Sequence, residues 1–118
     1  MVKVTVFYPV KEGDFFNMEY YSTQHVALSS SVFGDALKGL GIEQVSSTSP
    51  ECLYQVIGNL FFETEQDFYD RYLPNAELLA KDAIHYTNVT PILQISNVVL
   101  WTYQTKILNG QILENAYL

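Results

Sequence analysis

The sequence predicts an α+β domain in the order strand, helix, strand, strand, helix, strand. Three observations carry this. Residues 2–8, VKVTVFY, alternate in character and are rich in β-branched and aromatic side chains. Residues 53–62, LYQVIGNLFF, repeat that pattern more strongly. Between and after them lie two stretches whose apolar residues recur at spacings of three and four, the period of a helix lying on a core.

Each element has its own reason. In the first strand Val2, Val4 and Val6 share one face, and Lys3, Thr5 and Phe7 the other. The turn-rich PVKEGD follows. A helix is expected from about Asn17 to Val32, with Met18, Tyr21, His25, Leu28 and Val32 on one stripe and Gly34 as its C-terminal cap. A second strand is expected over 38–47, weakened by Gly39 and Gly41, and then the polar loop SSTSPE. In the strand 53–62, Tyr54, Val56, Gly58, Leu60 and Phe62 form one face. Leu53, Gln55, Ile57, Asn59 and Phe61 form the other, and Gly58 allows a helix to come close. Thr64 opens the second helix with Asp67 three residues on, and Phe68, Tyr69 and Tyr72 give it an apolar side. Pro74 starts a new helical segment, 74–82, because proline is tolerated only in a first turn. Residues 91–101, PILQISNVVLW, complete the sheet.

That order is the ferredoxin-like βαββαβ pattern, an antiparallel four-stranded sheet with both helices on one face. The other face carries Phe7, Leu53, Ile57 and Phe61 among Thr5, Gln55 and Asn59. A lone domain leaves this surface wet, so a second subunit is expected to cover it as a homodimer. The tail 101–118 holds Asn109-Gly110 between two apolar-bearing runs, the strongest two-residue hairpin signal. A hairpin of 101–108 with 111–117, or alternatively a short helix at 110–117, would make an arm suited to embracing a partner. No linker or repeat divides the 118 residues, so one domain, 1–118, is expected.

Composition excludes several functions. A net charge of −7 repels phosphate backbones and anionic membranes, so no nucleic acid or membrane partner is expected. No apolar run approaches the ~20 residues that span a bilayer. The start, MVKVTVFYPV, alternates like a strand and lacks the layout of a secretion signal. Cys52 is the one cysteine, so no internal disulfide forms, and a cytoplasmic location is expected. Without a secretion signal, the sequon Asn88-Val89-Thr90 reads as chance.

Several stretches together resemble one family. They are VTVFYPVKEGDFFNMEYYSTQHVAL and LYQVIGNLFFETEQDFYDRYLPNAELLAKDAIHYTNVTPILQISNV, covering roughly residues 2–98. The chain resembles the EthD family, small proteins of the dimeric α+β barrel superfamily. Members similarly carry a tyrosine-proline turn, a Tyr-Tyr-x-x-x-His helix, an Asp, a Tyr-Thr pair and a Pro-x-x-Gln-x-Ser strand. The resemblance matches His25 to the helix histidine, Tyr21 to the tyrosine before it, and Asp82 to the later acid. It matches Tyr86, Thr87 and Gln94 to the closing motif. Two positions depart: Ala27 stands where the family usually has proline, and Asn75 where a second histidine is often found. The family name comes from ethyl tert-butyl ether degradation, where the protein accompanies an oxidation system. Related fungal domains resemble dehydratases or decarboxylases of aromatic polyketide pathways. Wider relatives include cofactor-free monooxygenases, polyketide cyclases and muconolactone isomerase.

The resemblance implies a cavity for a small apolar or aromatic molecule, with no tightly bound cofactor. Histidine gives or takes a proton near neutrality, a tyrosine hydroxyl steadies a developing enolate or phenolate, and a carboxylate fixes the imidazole tautomer. His25, Tyr21 and Asp82 are therefore the candidate catalytic residues, and Phe7, Gln55, Asn59, Tyr86 and Gln94 the candidate binding residues. The same His25 also reads as an inert, hydrogen-bonded histidine on an apolar stripe. An enzyme of proton transfer or dehydration and a non-catalytic accessory protein of an oxidation pathway both stay open. His85 and Asp82, three apart, are too few ligands for a metal, so no metal site is expected.

Overall fold

The computed structural model describes residues 1–46, 51–108 and 111–117, the last two strands by their backbone. Strand β1 (Val2–Pro9) lies at the centre of a four-stranded sheet. It pairs antiparallel with β3 (Tyr54–Phe62) on one side and β4 (Ile92–Asn97) on the other. Strand β2 (Gly39–Gln44) pairs with the outer edge of β3, giving the order β2-β3-β1-β4. With its two helical regions this is the ferredoxin-like α+β arrangement that the element order predicts. Val4, Val6 and Tyr8 lie opposite Leu60, Gly58 and Val56, so these residues share the face toward the helices.

The first helical region runs as α1 (Met18–Tyr20), a π-helical turn (Tyr21–His25) and α2 (Val26–Phe33). Asn17 caps it, its side-chain oxygen accepting from the Tyr20 N–H at 3.0 Å. It ends at Gly34, whose φ of 53° suits a residue without Cβ. The π turn spends one extra residue, so the buried stripe slips by one. Past His25 the buried positions are Ser29 and Phe33, where an unbroken α period points to Leu28 and Val32.

The second region begins at Thr64, whose hydroxyl accepts from the Asp67 N–H at 3.1 Å, and runs as α3 (Glu65–Tyr72). Pro74 sits in a short 3₁₀ turn, Leu73–Asn75, before α4 (Ala76–Ala83). The Asn75 side chain donates to the Arg71 carbonyl at 2.7 Å across this break. Phe33, Phe62 and Phe68 form one core with Val2 and Val4. Tyr8, Tyr21, Val56 and Tyr86 form a second.

Several boundaries differ from the sequence pattern, for physical reasons. Strand β4 stops at Asn97 because its partner starts at Val2, and only the Val98 N–H reaches on, to the Met1 carbonyl at 3.0 Å. A bulge leaves Gln55 opposite no residue of β1. It turns Tyr54 to the face of Phe7, and their ring centroids lie 4.6 Å apart. Strand β2 spans Gly39–Gln44 rather than 38–47. Residues 47–50 of the polar loop lie outside the described residues.

Strands β5 (Thr102–Leu108) and β6 (Gln111–Tyr117) pair antiparallel as a separate hairpin, so these described residues of the tail are strand rather than helix. Its Asn109-Gly110 turn lies outside the described residues. The sheet face away from the helices is partly covered within the chain. Trp101 meets Phe61 edge-on at 5.1 Å, and Thr5, Asn59 and Phe61 are buried. Among the described residues no helix is long and apolar enough to cross a membrane.

Candidate functional site

A cavity of about 400 Å³ opens between the sheet and the helices. Its walls are largely apolar, from Val4, Val6, Leu60, Phe33, Phe68 and Leu79 among others. Its polar groups include a histidine and several tyrosines carried by β1, the π turn and the segment after α4. Several contacts pin that last segment to the start of the first helix. The Asn17 N–H donates to the Tyr86 carbonyl at 2.7 Å, and Phe16 bridges Thr87. The Thr87 hydroxyl donates to the Phe15 carbonyl at 2.8 Å, so Thr87 ties the chain while Tyr86 beside it reaches inward.

His25 lines this cavity. Its Nδ1 lies 2.8 Å from Oδ2 of Asp82. A carboxylate only accepts, so Nδ1 carries a proton, and in the neutral form of the ring Nε2 presents a lone pair. Oδ1 of Asp82 accepts from the Tyr20 hydroxyl at 2.7 Å. Burial alone would raise the Asp82 carboxyl, but the hydrogen bonds from His25 and Tyr20, with attraction from His25 and His85, outweigh it and hold it below the ordinary range. The hydrogen bond to Asp82 raises the Tyr20 phenol.

On the other side of the ring, the Tyr86 hydroxyl stands 3.4 Å from Nε2 and 2.7 Å from the Tyr8 hydroxyl. With Tyr86 donating to the Nε2 lone pair, Tyr8 donates to Tyr86. Tyr21 stacks on the imidazole, the rings 5.6 Å apart and 18° from parallel. Burial pushes the phenols of Tyr8, Tyr21 and Tyr86 well above the usual tyrosine range. They therefore keep their protons at any ordinary pH and act as donors, not bases. Gly58 makes room for this cluster. A Cβ there would meet the Tyr21 hydroxyl oxygen at 2.7 Å, the close approach that a glycine in this strand foretold.

The fold thus brings His25, Tyr21, Asp82 and Tyr86 together from positions up to 65 residues apart. It does not bring in three of the expected binding residues. Gln55 donates to the Pro9 carbonyl and to Asp14, closing the loop after β1. Phe7 and Gln94 flank Thr5 and Val6 on β1 and its neighbour, with Phe7 against Tyr54 and Gln94 exposed opposite Thr5. Both belong to the face away from the helices. Asn59 contributes to the cavity wall, but its amide turns to Glu43 Oε1 at 2.8 Å. Sequence reasoning missed Tyr8 and Tyr20. Tyr8 continues the inward row Val2, Val4, Val6, where a phenol ending an apolar row is the signal. His85 is exposed beside Tyr20, 5.6 Å from ring to ring. Among the described residues no cluster of three or more His, Cys, Asp and Glu is placed to hold a metal.

No family model and no curated protein matches the chain. Solved structures do. An EthD-like protein from Ralstonia eutropha is 25% identical with a TM-score of 0.75, over 84% of this chain and 92% of that one. An EthD family protein from Bacillus halodurans is 17% identical with a TM-score of 0.62, over 82% and 97%. A protein from Arabidopsis thaliana is 14% identical with a TM-score of 0.62, over 87% and 100%. The latter two share the fold alone. The chain is thus EthD-like in structure, with a ferredoxin-like fold, and this likeness agrees with the resemblance read in its sequence.

Proposed function

We propose that this protein binds a small, uncharged, mainly apolar molecule in the helix-side cavity and moves a proton to or from it with His25. The observation that carries the reading is the Asp82–His25 pair, 2.8 Å apart, with the imidazole lining a cavity of about 400 Å³. Among the described residues no lysine or arginine lines the cavity, and the carboxylate behind His25 disfavours an anion. A ligand with one hydroxyl or carbonyl oxygen fits the polar end, and its rings or chain fit the apolar walls.

In this reading Nε2 accepts a proton from a phenolic O–H or from a carbon beside a carbonyl. The Tyr86 hydroxyl, released from Nε2, donates to the oxygen that gains charge, and Tyr8 supports Tyr86. Asp82 stabilises the imidazolium that forms. Returning the proton at another atom gives an isomerisation, and expelling a hydroxide as water gives a dehydration. Tyr21 forms the wall on which the imidazole stacks. The working unit is proposed to be a homodimer joined through the sheet face that carries Ile92, 51% exposed, and the adjoining Leu100, 77% exposed. Light scattering at micromolar concentration should give the mass of two chains, and a stable monomer would rule that assembly out.

A second reading rests on the Tyr86 hydroxyl already meeting Nε2. A ligand that leaves this contact in place would be held without conversion, as by an accessory protein of an oxidation pathway. One experiment separates the two. Wild type and His25→Ala are incubated with a panel of neutral phenols and hydroxyketones, and binding is measured by calorimetry. Turnover that falls about 10²–10⁴-fold in His25→Ala while binding persists supports proton transfer. Undiminished turnover in a folded His25→Ala variant would overturn it, and tight binding with ligand recovered unchanged from wild type would establish the second reading.

A further inference from the structure

The two oxygens of Asp82 are taken by two side chains of the same helical rod, five residues apart. Oδ1 accepts from Tyr20 at 2.7 Å and Oδ2 meets His25 Nδ1 at 2.8 Å. An unbroken α-helix does not allow this. Five residues at 3.6 per turn leave two side chains about 140° apart around the axis. A π turn, with its i→i+5 hydrogen bonds, returns the fifth residue to nearly the same face. The turn Tyr21–His25 supplies that geometry, and the Val26 N–H reaches the Tyr21 carbonyl five residues back. It also leaves Tyr21 stacked on the inner side of the ring while Tyr20 stands on the outer side with Asp82.

We propose that Tyr20 is a positioning residue for His25, acting through Asp82, and that the π-helical turn is what places it there. This rests on the reading of His25 as the proton acceptor. Asp82 is the last acid of α4, its side chain 17% exposed, and among the described residues no lysine or arginine pairs with it. Tyr20 is therefore the donor that keeps its second oxygen from turning to water. With that oxygen held, the carboxylate plane is fixed, and the Nδ1–H proton it receives stays on Nδ1. With it free, the carboxylate rotates, and the ring protonates at either nitrogen. The family resemblance includes Tyr20 in its Tyr-Tyr-x-x-x-His motif but gives it no role; the role follows from the hydroxyl, the carboxylate and the helix phase.

The test uses ligand-free protein and nitrogen-15 NMR of the imidazole. Wild type should show His25 held as the Nδ1–H tautomer, with an Nδ1 proton protected from solvent. Tyr20→Phe removes only the hydroxyl. It should speed exchange of that proton about tenfold and populate the Nε2–H tautomer. Asp82→Ala should produce the larger change, and Tyr20→Phe added to it should change nothing more. A Tyr20→Phe spectrum like that of wild type, or an equal increment in the Asp82→Ala background, would overturn the proposal. Because no ligand is present, this outcome is independent of the turnover assay. A silent substrate panel leaves the positioning result standing, and a failed positioning result leaves His25 to be judged by turnover.

Discussion

Gly58→Ala tests the packing that builds the cavity end. The new methyl would lie 2.7 Å from the Tyr21 hydroxyl oxygen, against 3.4 Å or more for ordinary contact. Tyr21 must then retreat by about 0.7 Å. It has little room, since its ring lies 4.9–5.6 Å from those of Tyr8, Phe16, His25 and Tyr86. Overpacking of this kind costs about 1–3 kcal/mol. Replacing a strand glycine by alanine returns about 0.5–1 kcal/mol through the unfolded chain. With the ring hemmed in on four sides the cost falls in the upper half of that range, and the net loss is about 1–2 kcal/mol. At about 2.1 cal/mol/K of unfolding entropy per residue, a chain of this length loses about 4 °C in Tm per kcal/mol, so a fall of about 4–8 °C is expected. Calorimetric melting of wild type, Gly58→Ala, Tyr21→Phe and the double variant measures it. In the Tyr21→Phe background most of the penalty should vanish, a coupling of about 1 kcal/mol. A Gly58→Ala Tm within about 1 °C of wild type, or the same drop with and without the hydroxyl, would refute the reasoning.

Three further outcomes follow from the geometry. Because its hydrogen bonds hold the native Asp82 carboxyl below the ordinary range, the native state binds fewer protons there than the unfolded chain. The stability it contributes is complete above the unfolded-chain value near ~3.9 and is lost as pH falls through the native value. Urea unfolding from about pH 6 down to about pH 3 should therefore show wild type losing its advantage over Asp82→Asn, and parallel curves would contradict this. Phe62, fully buried between Phe33 and Phe68, should cost about 3–5 kcal/mol on replacement by alanine, read from the urea midpoint. Thr64→Ala removes the cap of α3 and should cost about 1 kcal/mol in the same titration.

Alternation and cap chemistry made the sheet and the helix starts legible. Val2, Val4 and Val6 face the helices, and Thr64 caps where its spacing to Asp67 suggested. Local pattern failed where an extra residue entered. The π turn in YSTQH has no marker in its residue types, so the buried row after His25 moved from Leu28 and Val32 to Ser29 and Phe33. The bulge at Gln55 likewise turned Tyr54 across the sheet. His25 and Asp82 were legible as candidates only through the family motif, because 57 residues separate them and only the packing of α4 on the π turn joins them. Gln94 entered as a binding residue through the closing motif of the resemblance, and Phe7 and Gln55 lie on the sheet face that a second subunit is expected to cover. The cavity lies instead under the helices, where short inward side chains and Gly58 leave space.

The placement of Trp101 has an optical consequence. It is the chain's single tryptophan, set edge-on to Phe61 with the Lys3 ammonium 5.7 Å from its ring centroid, and it keeps 39% of its surface in solvent. Lys3 and Phe61 are paired across β1 and β3 on the face opposite the cavity. The indole is therefore a built-in fluorophore for one side of the sheet only. A ligand entering beneath the helices leaves its emission in place. A second chain settling on the sheet strips water from the indole and moves its emission to the blue as concentration rises, so one unlabelled sample distinguishes filling of the cavity from assembly of the protein.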